Sequence, residues 1–214
     1  MKAIIVLATI FISITGCTQS ATKKPVQNNR VVGGPCEGCE AIHESPVPFD
    51  SLKNMSWLPD WNHHGKKLAI SGIVYSADGK PAPNVVIYVY HTDQTGVYPT
   101  EGDEKGWGKR HGYIRGWMKT NATGEYTFFT LRPAAYPGRQ APEHIHVTLK
   151  EPDKNEYWID EYVFDDDPLL TGKERKNCRD RGGSGIIKVR DAKGMLKAER
   201  NIYLGKNIPD YPKQ

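Results

Sequence analysis

From Leu68 onward, short apolar runs alternate with turn residues. Leu68–Tyr75, Asn84–His91, Tyr113–Thr120, Glu125–Leu131, His144–Leu149 and Glu156–Phe164 are rich in β-branched and aromatic positions. Such runs suit a pleated, half-buried surface and read as strands. Asp78-Gly79, Thr123-Gly124 and Pro152-Asp153-Lys154-Asn155 punctuate them as turns. Leu169–Cys178 reads as a short helix. Ile186–Arg190 and Leu196–Leu204 read as a last hairpin around Ala192-Lys193-Gly194. Many short strands, with no strand–helix alternation and no Gly-rich phosphate loop, predict an all-β fold, an antiparallel β-sandwich over residues 68–205. Doubly wound and nucleotide-hydrolysing folds are excluded by the same pattern. Thr92–Gly108 is a long loop carrying Gly96, Gly102, Gly106 and Gly108. A loop of that length inside a compact domain is read as an active-site loop.

The chain before Leu68 follows no such alternation. Met1-Lys2 gives a positive start, and Ala3–Ile14 is an apolar run too short to span a bilayer. It ends in Ile14-Thr15-Gly16-Cys17, which resembles a bacterial lipoprotein signal, with small residues before a cysteine that is lipidated. Residues 1–17 are therefore expected to be a signal peptide and lipobox, and the mature chain to be exported and anchored to a membrane of the cell envelope through Cys17. Thr18 stands where an Asp would retain a lipoprotein in the inner membrane, which favours the outer membrane. The competing reading is an ordinary signal peptide with a chance cysteine. Residues 18–29 are polar and read as a flexible tether. Residues 30–67, with Gly33-Gly34-Pro35, Pro46, Pro48 and Pro59, read as an irregular segment wrapping the domain, packed down by Trp57 and Trp61. Residues 206–214 form an extended C-terminal tail.

Composition changes this picture little. The 214 residues are 25% charged with a formal net charge of +4, and no dense Lys/Arg block marks a nucleic-acid partner. Export implies an oxidising compartment in which disulfides persist. Besides Cys17 the chain has Cys36, Cys39 and Cys178. Zinc would require a second cysteine pair, so a structural disulfide is preferred, most simply one of Cys36 and Cys39 with Cys178. No patch in the sequence decides an oligomeric state.

The chemistry gathers on one stretch. In a strand beginning at His144, His144 and His146 share one face while Ile145 and Val147 share the other. The turn-rich loop before it carries Tyr136, and the long glycine loop carries Tyr98. Phenols ligate poorly at neutral pH because their pKa is about 10. A strongly charged cation stabilises the phenolate, and Fe(III) suits phenolate oxygen together with imidazole nitrogen. The plain alternative is two solvated histidines on a half-exposed strand. His63-His64 on a loop, and His91 and His111 near the long loop, are read as ordinary hydrogen-bonding residues. Asp165-Asp166-Asp167 is read as a solvated turn, because three consecutive carboxylates cannot all face one calcium ion.

With these residues in place the chain resembles the intradiol ring-cleavage dioxygenases, the family of catechol 1,2-dioxygenases and protocatechuate 3,4-dioxygenases. The carrying residues are Gly72-x-Val74, Asp78-Gly79-x-Pro81-x-Pro83, Gly96-Val97-Tyr98, Arg115-Gly116, Thr120-x-x-x-Gly124-Glu125-Tyr126-x-Phe128, Arg132-Pro133-Ala134-Ala135-Tyr136-Pro137 and Pro142-Glu143-His144-Ile145-His146, in the family's order. The resemblance implies a β-sandwich holding one Fe(III) through Tyr98, Tyr136, His144 and His146, with Tyr136 and His144 axial. It implies a small aromatic diol and O2 as partners, and a cis,cis-muconate-type product. Tyr136 would leave the metal when the diol chelates it and accept a proton. Two positions depart from the family. Many members place an Arg three residues before the first His, where this chain has Ala141; Arg139 is the candidate to reach the same space. Many place a Gln where this chain has Glu161, in Asp160-Glu161-Tyr162-Val163-Phe164. Arg139 and Glu161 are therefore candidate catalytic residues beside Tyr136. The competing function is a non-catalytic exported β-sandwich that binds a small aromatic or polysaccharide ligand, its metal site vestigial or structural.

Overall fold

The computed structural model describes residues 31–213; the expected signal peptide, lipobox and tether lie outside the described residues. Among the described residues, twelve strands form two six-stranded sheets. The first sheet orders β1 (Met55–Trp57), β5 (Glu125–Leu131), β2 (Lys67–Tyr75), β11 (Met195–Glu199) and β10 (Arg190–Ala192), with β12 (Ile202–Tyr203) also paired to β2. The second orders β4 (Arg115–Lys119), β3 (Val86–Tyr90), β6 (His144–Lys150), β8 (Tyr162–Phe164) and β9 (Ile186–Ile187), with β7 (Glu156–Trp158) also paired to β6.

Alternation along each strand decides what it buries. Leu68, Ile70 and Val74 of β2 and Tyr126 and Phe128 of β5 enter the same cluster as Ile87 and Val89 of β3, Ile145 and Val147 of β6 and Phe164 of β8. One apolar core thus takes side chains from both sheets, and the opposite faces of β6 and β3 are left for chemistry. Two short helices complete the described chain, α1 (Gly108–His111) and α2 (Gly172–Asn177). The hydroxyl of Thr171 caps α2 by accepting the Glu174 N–H.

The sheets are mixed rather than purely antiparallel. β1 runs parallel to β5, β11 and β12 run parallel to β2, and β9 runs parallel to β8. A hairpin forms at the expected turn, about Lys193 (φ 58°) and Gly194 (φ 85°), but its arms are β10 and β11, while Ile186–Ile187, expected in its first arm, joins β8 in the other sheet; β11 then adds to the edge of β2. The expected single strand Glu156–Phe164 is broken. Trp158 O accepts from the Arg181 guanidinium (Nη2, 2.8 Å), Asp160 N–H donates to Arg181 O (3.1 Å), and Asp160 O accepts from Arg200 Nη1 (2.6 Å). The backbone groups that would continue a ladder are taken, so the chain bends at Ile159–Glu161 between β7 and β8.

The disulfide also differs from expectation. Cys36 pairs with Cys39, and Cys178 is free. Gly38 at φ 84° folds the Cys36-Glu37-Gly38-Cys39 turn and brings the two Cα atoms to 5.7 Å, within bonding range. A 3₁₀ helix over Cys39–Glu44 follows and buries Ala41 and Ile42. Trp57 stacks on Phe129 but stays 54% exposed; Val32, Ile42 and Leu58 are the apolar anchors of this segment. At the other end, Ile208 is buried and Tyr211 donates to Glu151 Oε2 (2.8 Å), which docks the tail.

Asp60, in a 3₁₀ turn of the N-terminal segment, is buried against the end of β5. Its carboxylate accepts from Leu131 N–H (3.0 Å) and contacts Thr130 Oγ1 (2.9 Å), which in turn meets His91 Nε2 (2.6 Å). His91 Nδ1–H donates to Thr92 O (2.7 Å). Burial opposes a charged His91, and the Asp60 carboxylate favours it. Removing Asp60 orphans the buried Leu131 amide and leaves the Thr130 hydroxyl with His91 alone, the kind of loss that costs about 1–3 kcal/mol. Asp60→Ala is expected to lower the unfolding free energy in urea by about 2 kcal/mol, and a loss below about 1 kcal/mol would contradict this role.

Candidate metal centre

β6 supplies both histidines. His144 and His146 lie on its outward face, with Ile145 and Val147 buried beneath. The neighbouring strands fix their surroundings: β3 places Tyr90 opposite His146, and β8 places Val163 opposite His144. The start of β6 is pinned by charge. Glu143 N–H donates to Asp167 Oδ2 (2.6 Å), and the Glu143 carboxylate accepts from Arg132 Nε (2.6 Å). The guanidinium of Arg132 also grips Asp166 through two nitrogens (2.9 and 2.8 Å). The acidic turn after β8 is thus spent on the residue beside His144.

Tyr98 and Tyr136 arrive on loops that touch. Gly96 sits at φ 79°, and a Cβ there would stand 2.0 Å from Ala135 O. Only a residue without a side chain lets the Tyr98 loop close on the Tyr136 loop. The Tyr98 and Tyr136 hydroxyls are hydrogen-bonded to each other. Tyr98 Oη lies 2.8 Å from His146 Nε2, and Tyr136 Oη lies 3.3 Å from the same nitrogen and 3.2 Å from His144 Nε2. Two phenol oxygens and two imidazole nitrogens therefore converge on one point.

The far side of each imidazole sets its tautomer. His144 Nδ1–H donates to Pro142 O (2.7 Å) and His146 Nδ1–H to Glu161 Oε1 (2.9 Å), which leaves both Nε2 lone pairs facing the phenols. Burial lowers the pKa of His144, reinforced by His146, and so favours the neutral ligating form. Burial raises the pKa of Tyr98, as does its hydrogen bond to Tyr136. Burial also raises that of Tyr136, against the lowering effect of its bond to Tyr98. Without a cation both phenols keep their protons; a highly charged ion would reverse that. Burial opposes ionisation of Glu161, but its hydrogen bond to His146 and the attraction of both imidazoles overcome this and bring it down to about 2.

This donor set fits a metal. Bonds of about 2 Å from one ion leave neighbouring donors on the order of 3 Å apart, which is the spacing of these contacts. Among the described residues, His144, His146 and Glu161 also form the group of nitrogen and carboxylate donors close enough to share an ion, their ligand atoms all within 4.8 Å. Glu161 contacts His146 through Nδ1, on the opposite side of the ring from the phenols, so it supports a ligand rather than joining the four donors.

The other candidates fall in different places. Arg139 is exposed, with its guanidinium 5.7 Å from the centre of the Tyr136 ring. Ala141 lines a cavity of about 370 Å³ beside His144, together with Trp158 and Glu161. His91 belongs to the buried trio with Thr130 and Asp60. His111 stacks on Tyr90 at 3.7 Å and meets Tyr88 Oη through Nδ1 (2.9 Å). Tyr90 is the residue sequence reasoning missed: it stacks on His146 at 4.4 Å, with the planes 16° apart. Its signal was the register of β3 against β6, which no single strand reveals.

Two loop phenols and two strand imidazoles thus meet at the open face of the second sheet. Residues 42–181 match the family model described as Dioxygenase, and the chain belongs to the intradiol dioxygenases. It is 28% identical over 142 residues to the protocatechuate 3,4-dioxygenase beta chain of Burkholderia cepacia, covering 64% of this chain and 59% of that one. It is 36% identical over 74 residues to hydroxyquinol 1,2-dioxygenase of Corynebacterium glutamicum, covering 34% of this chain and 23% of that one. The chain thus matches less than two thirds of the length of either relative. Among solved structures, the dioxygenase domain of a dioxygenase–carbohydrate-binding protein fusion from Streptomyces sp. SirexAA-E aligns with TM-score 0.54 at 25% identity, over 69% of this chain and 85% of that one. Catechol 1,2-dioxygenase from Acinetobacter sp. ADP1 shares the fold, with TM-score 0.53 at 18% identity over 70% of this chain and 56% of that one.

Gly96→Ala is expected to force the two tyrosine loops apart. The variant should lose more than about 1 kcal/mol of stability and bind iron with clearly reduced stoichiometry. Wild-type metal content would show that the loop contact is not required.

Proposed function

We propose that the chain is a non-haem Fe(III) intradiol dioxygenase that opens a catecholic ring with O2 to a cis,cis-muconate-type product. The observation that carries this reading is the convergence of Tyr98, Tyr136, His144 and His146 on one point. These four would hold the ion. Bound there, Fe(III) supplies Lewis-acid chemistry and a template for the diol and O2.

The residues have separable tasks. Tyr98 is the fixed phenolate: its loop is locked against Ala135, and its oxygen makes the 2.8 Å contact to His146. Tyr136 is the releasable one. It follows directly on that contact, precedes the Pro137-Gly138 turn, and approaches the imidazoles at longer distances of 3.2 and 3.3 Å. Its oxygen would be the group to accept a proton from an incoming diol. Arg139 beside the ring stabilises the phenolate by charge, lowering the Tyr136 pKa against the effect of burial. Glu161 holds His146 in the tautomer that presents Nε2. The export signal read in residues 1–17 would place this activity in the cell envelope, anchored through Cys17.

The test is direct. Iron-reconstituted protein should be red-brown from tyrosinate-to-Fe(III) charge transfer, and catechol with O2 should yield a muconate. A colourless reconstituted protein would overturn the iron assignment. A coloured protein inert toward a panel of catechols would instead favour a binding role. Tyr136→Phe should retain iron with an altered spectrum and lose at least about a hundredfold in kcat, the scale of a positioned proton acceptor. An unchanged kcat would refute its role.

A further inference from the structure

Glu161 stands at the seam between two cavities. One, of about 370 Å³, includes Ala141 and His144; the other, of about 290 Å³, includes Tyr90 and His146; Trp158, Ile159 and Glu161 line both. The carboxylate is 45% exposed, and one oxygen meets His146 Nδ1. Among the described residues, no lysine or arginine forms an ion pair with it. Its place is rigid, because the adjoining bend is tied on several sides. Asp160 Oδ2 accepts from the N–H groups of Arg179 and Asp180 (2.9 and 2.8 Å), Arg200 holds Asp160 O, and a Cβ at Gly185 would stand 2.0 Å from Glu161 O.

The other charges in the two linings are largely committed. Asp160 is spent on backbone amides, and Glu37 is paired with Arg110 at 2.5 Å. Glu174 and Arg179, of opposite sign, both line the larger cavity. Glu161 is the carboxylate that lines both cavities. The loop before His144 offers no counter-charge, since Ala141 lines the larger cavity while Arg139 lines neither and lies over Tyr136. The guanidiniums of Arg181 and Arg179 already lie over the Trp158 ring, 3.5 and 5.4 Å from its centre, so the group that a ring substituent meets in either cavity is the Glu161 carboxylate.

We propose that Glu161 is a specificity-determining residue and that the site selects catechols bearing a protonated amine over catechols bearing a carboxylate. The inference rests on the ring-cleavage reading above. An ammonium substituent gains an ion pair with Glu161. A carboxylate in the same position faces like charge.

Equilibrium titration of the iron-loaded protein under nitrogen tests this without turnover, read by the change in visible tyrosinate absorption and by calorimetry. The probes are 4-(2-aminoethyl)catechol, 4-ethylcatechol and 3,4-dihydroxyphenylacetate. The amine should bind at least about fivefold tighter than the ethyl compound and the carboxylate at least about fivefold weaker, the scale of a partly exposed ion pair. Glu161→Gln should bring the amine and carboxylate within about twofold of the ethyl compound, whose own binding reports an intact site. If that variant fails to bind 4-ethylcatechol, salt decides: the wild-type spread should shrink between low and high ionic strength. A carboxylate that binds as tightly as the ethyl compound, or a spread unaltered by Glu161→Gln or, where that variant fails, by salt, overturns the proposal. Absence of a response to all three probes overturns the ring-cleavage reading and this inference with it, an outcome distinct from equal binding of all three.

Discussion

The imidazole of His146 is held on every side that matters. Glu161 takes Nδ1–H at 2.9 Å, Tyr98 and Tyr136 face Nε2, and Tyr90 lies across the ring at 4.4 Å. A ring so held has one tautomer and one orientation, which a ligand requires before any metal arrives. The three grips come from different parts of the chain: the bend after β7, the two tyrosine loops, and β3. Each depends on the two sheets sharing one core, because β3, β6 and β8 keep their register only while Ile87, Ile145, Val147 and Phe164 are buried together.

Much of the supporting framework is cationic and lies away from the donors. Arg132 secures the start of β6 through Glu143 and Asp166, while Arg181 and Arg200 secure the bend that carries Glu161. Arg181 and Arg200 are buried and donate chiefly to backbone carbonyls, and Arg200 Nε is the buried side-chain polar atom left without a partner among the described residues. An arginine can serve several carbonyls at once because its donors form a planar fork. This explains how the chain leaves the strand ladder at Ile159–Glu161 without stranding buried backbone groups. The bend then turns Glu161 toward His146 rather than along a strand.

Legibility in the sequence followed range. The alternation of β2, β5 and β6 marked those strands and their buried faces, because burial acts on side chains two residues apart. His144 and His146 were visible on one face for the same reason, and Tyr98 and Tyr136 through their loops and the family's motifs. Features decided by distant partners were not legible. The break between β7 and β8 is enforced by Arg181 and Arg200, both beyond the strand itself. The parallel additions of β1 and β11 leave no local mark, since strand direction is settled by where the connection runs. Cys36 pairs with Cys39 because Gly38 adopts φ 84°, a backbone fact that spacing alone leaves open. Arg139 stands two residues before Ala141 in sequence, but the turn at Gly138 leaves its guanidinium over Tyr136.

These placements divide the site into a constant part and a variable part. The four donors are fixed by β6 and by a loop contact that tolerates only glycine at position 96, so their geometry follows from the fold. The charge around them does not. It depends on side chains at the loop before His144 and the bend after β7, where Ala141 is uncharged and Glu161 supplies an anion. Under the proposed function a carboxylate at the bend would serve two ends at once, raising the donor strength of His146 through Nδ1 and adding negative charge to the cavity walls. A glutamine there could accept the same Nδ1–H, but without the charge. Coupling ligand strength to cavity charge through one side chain means that neither can change in this chain without the other.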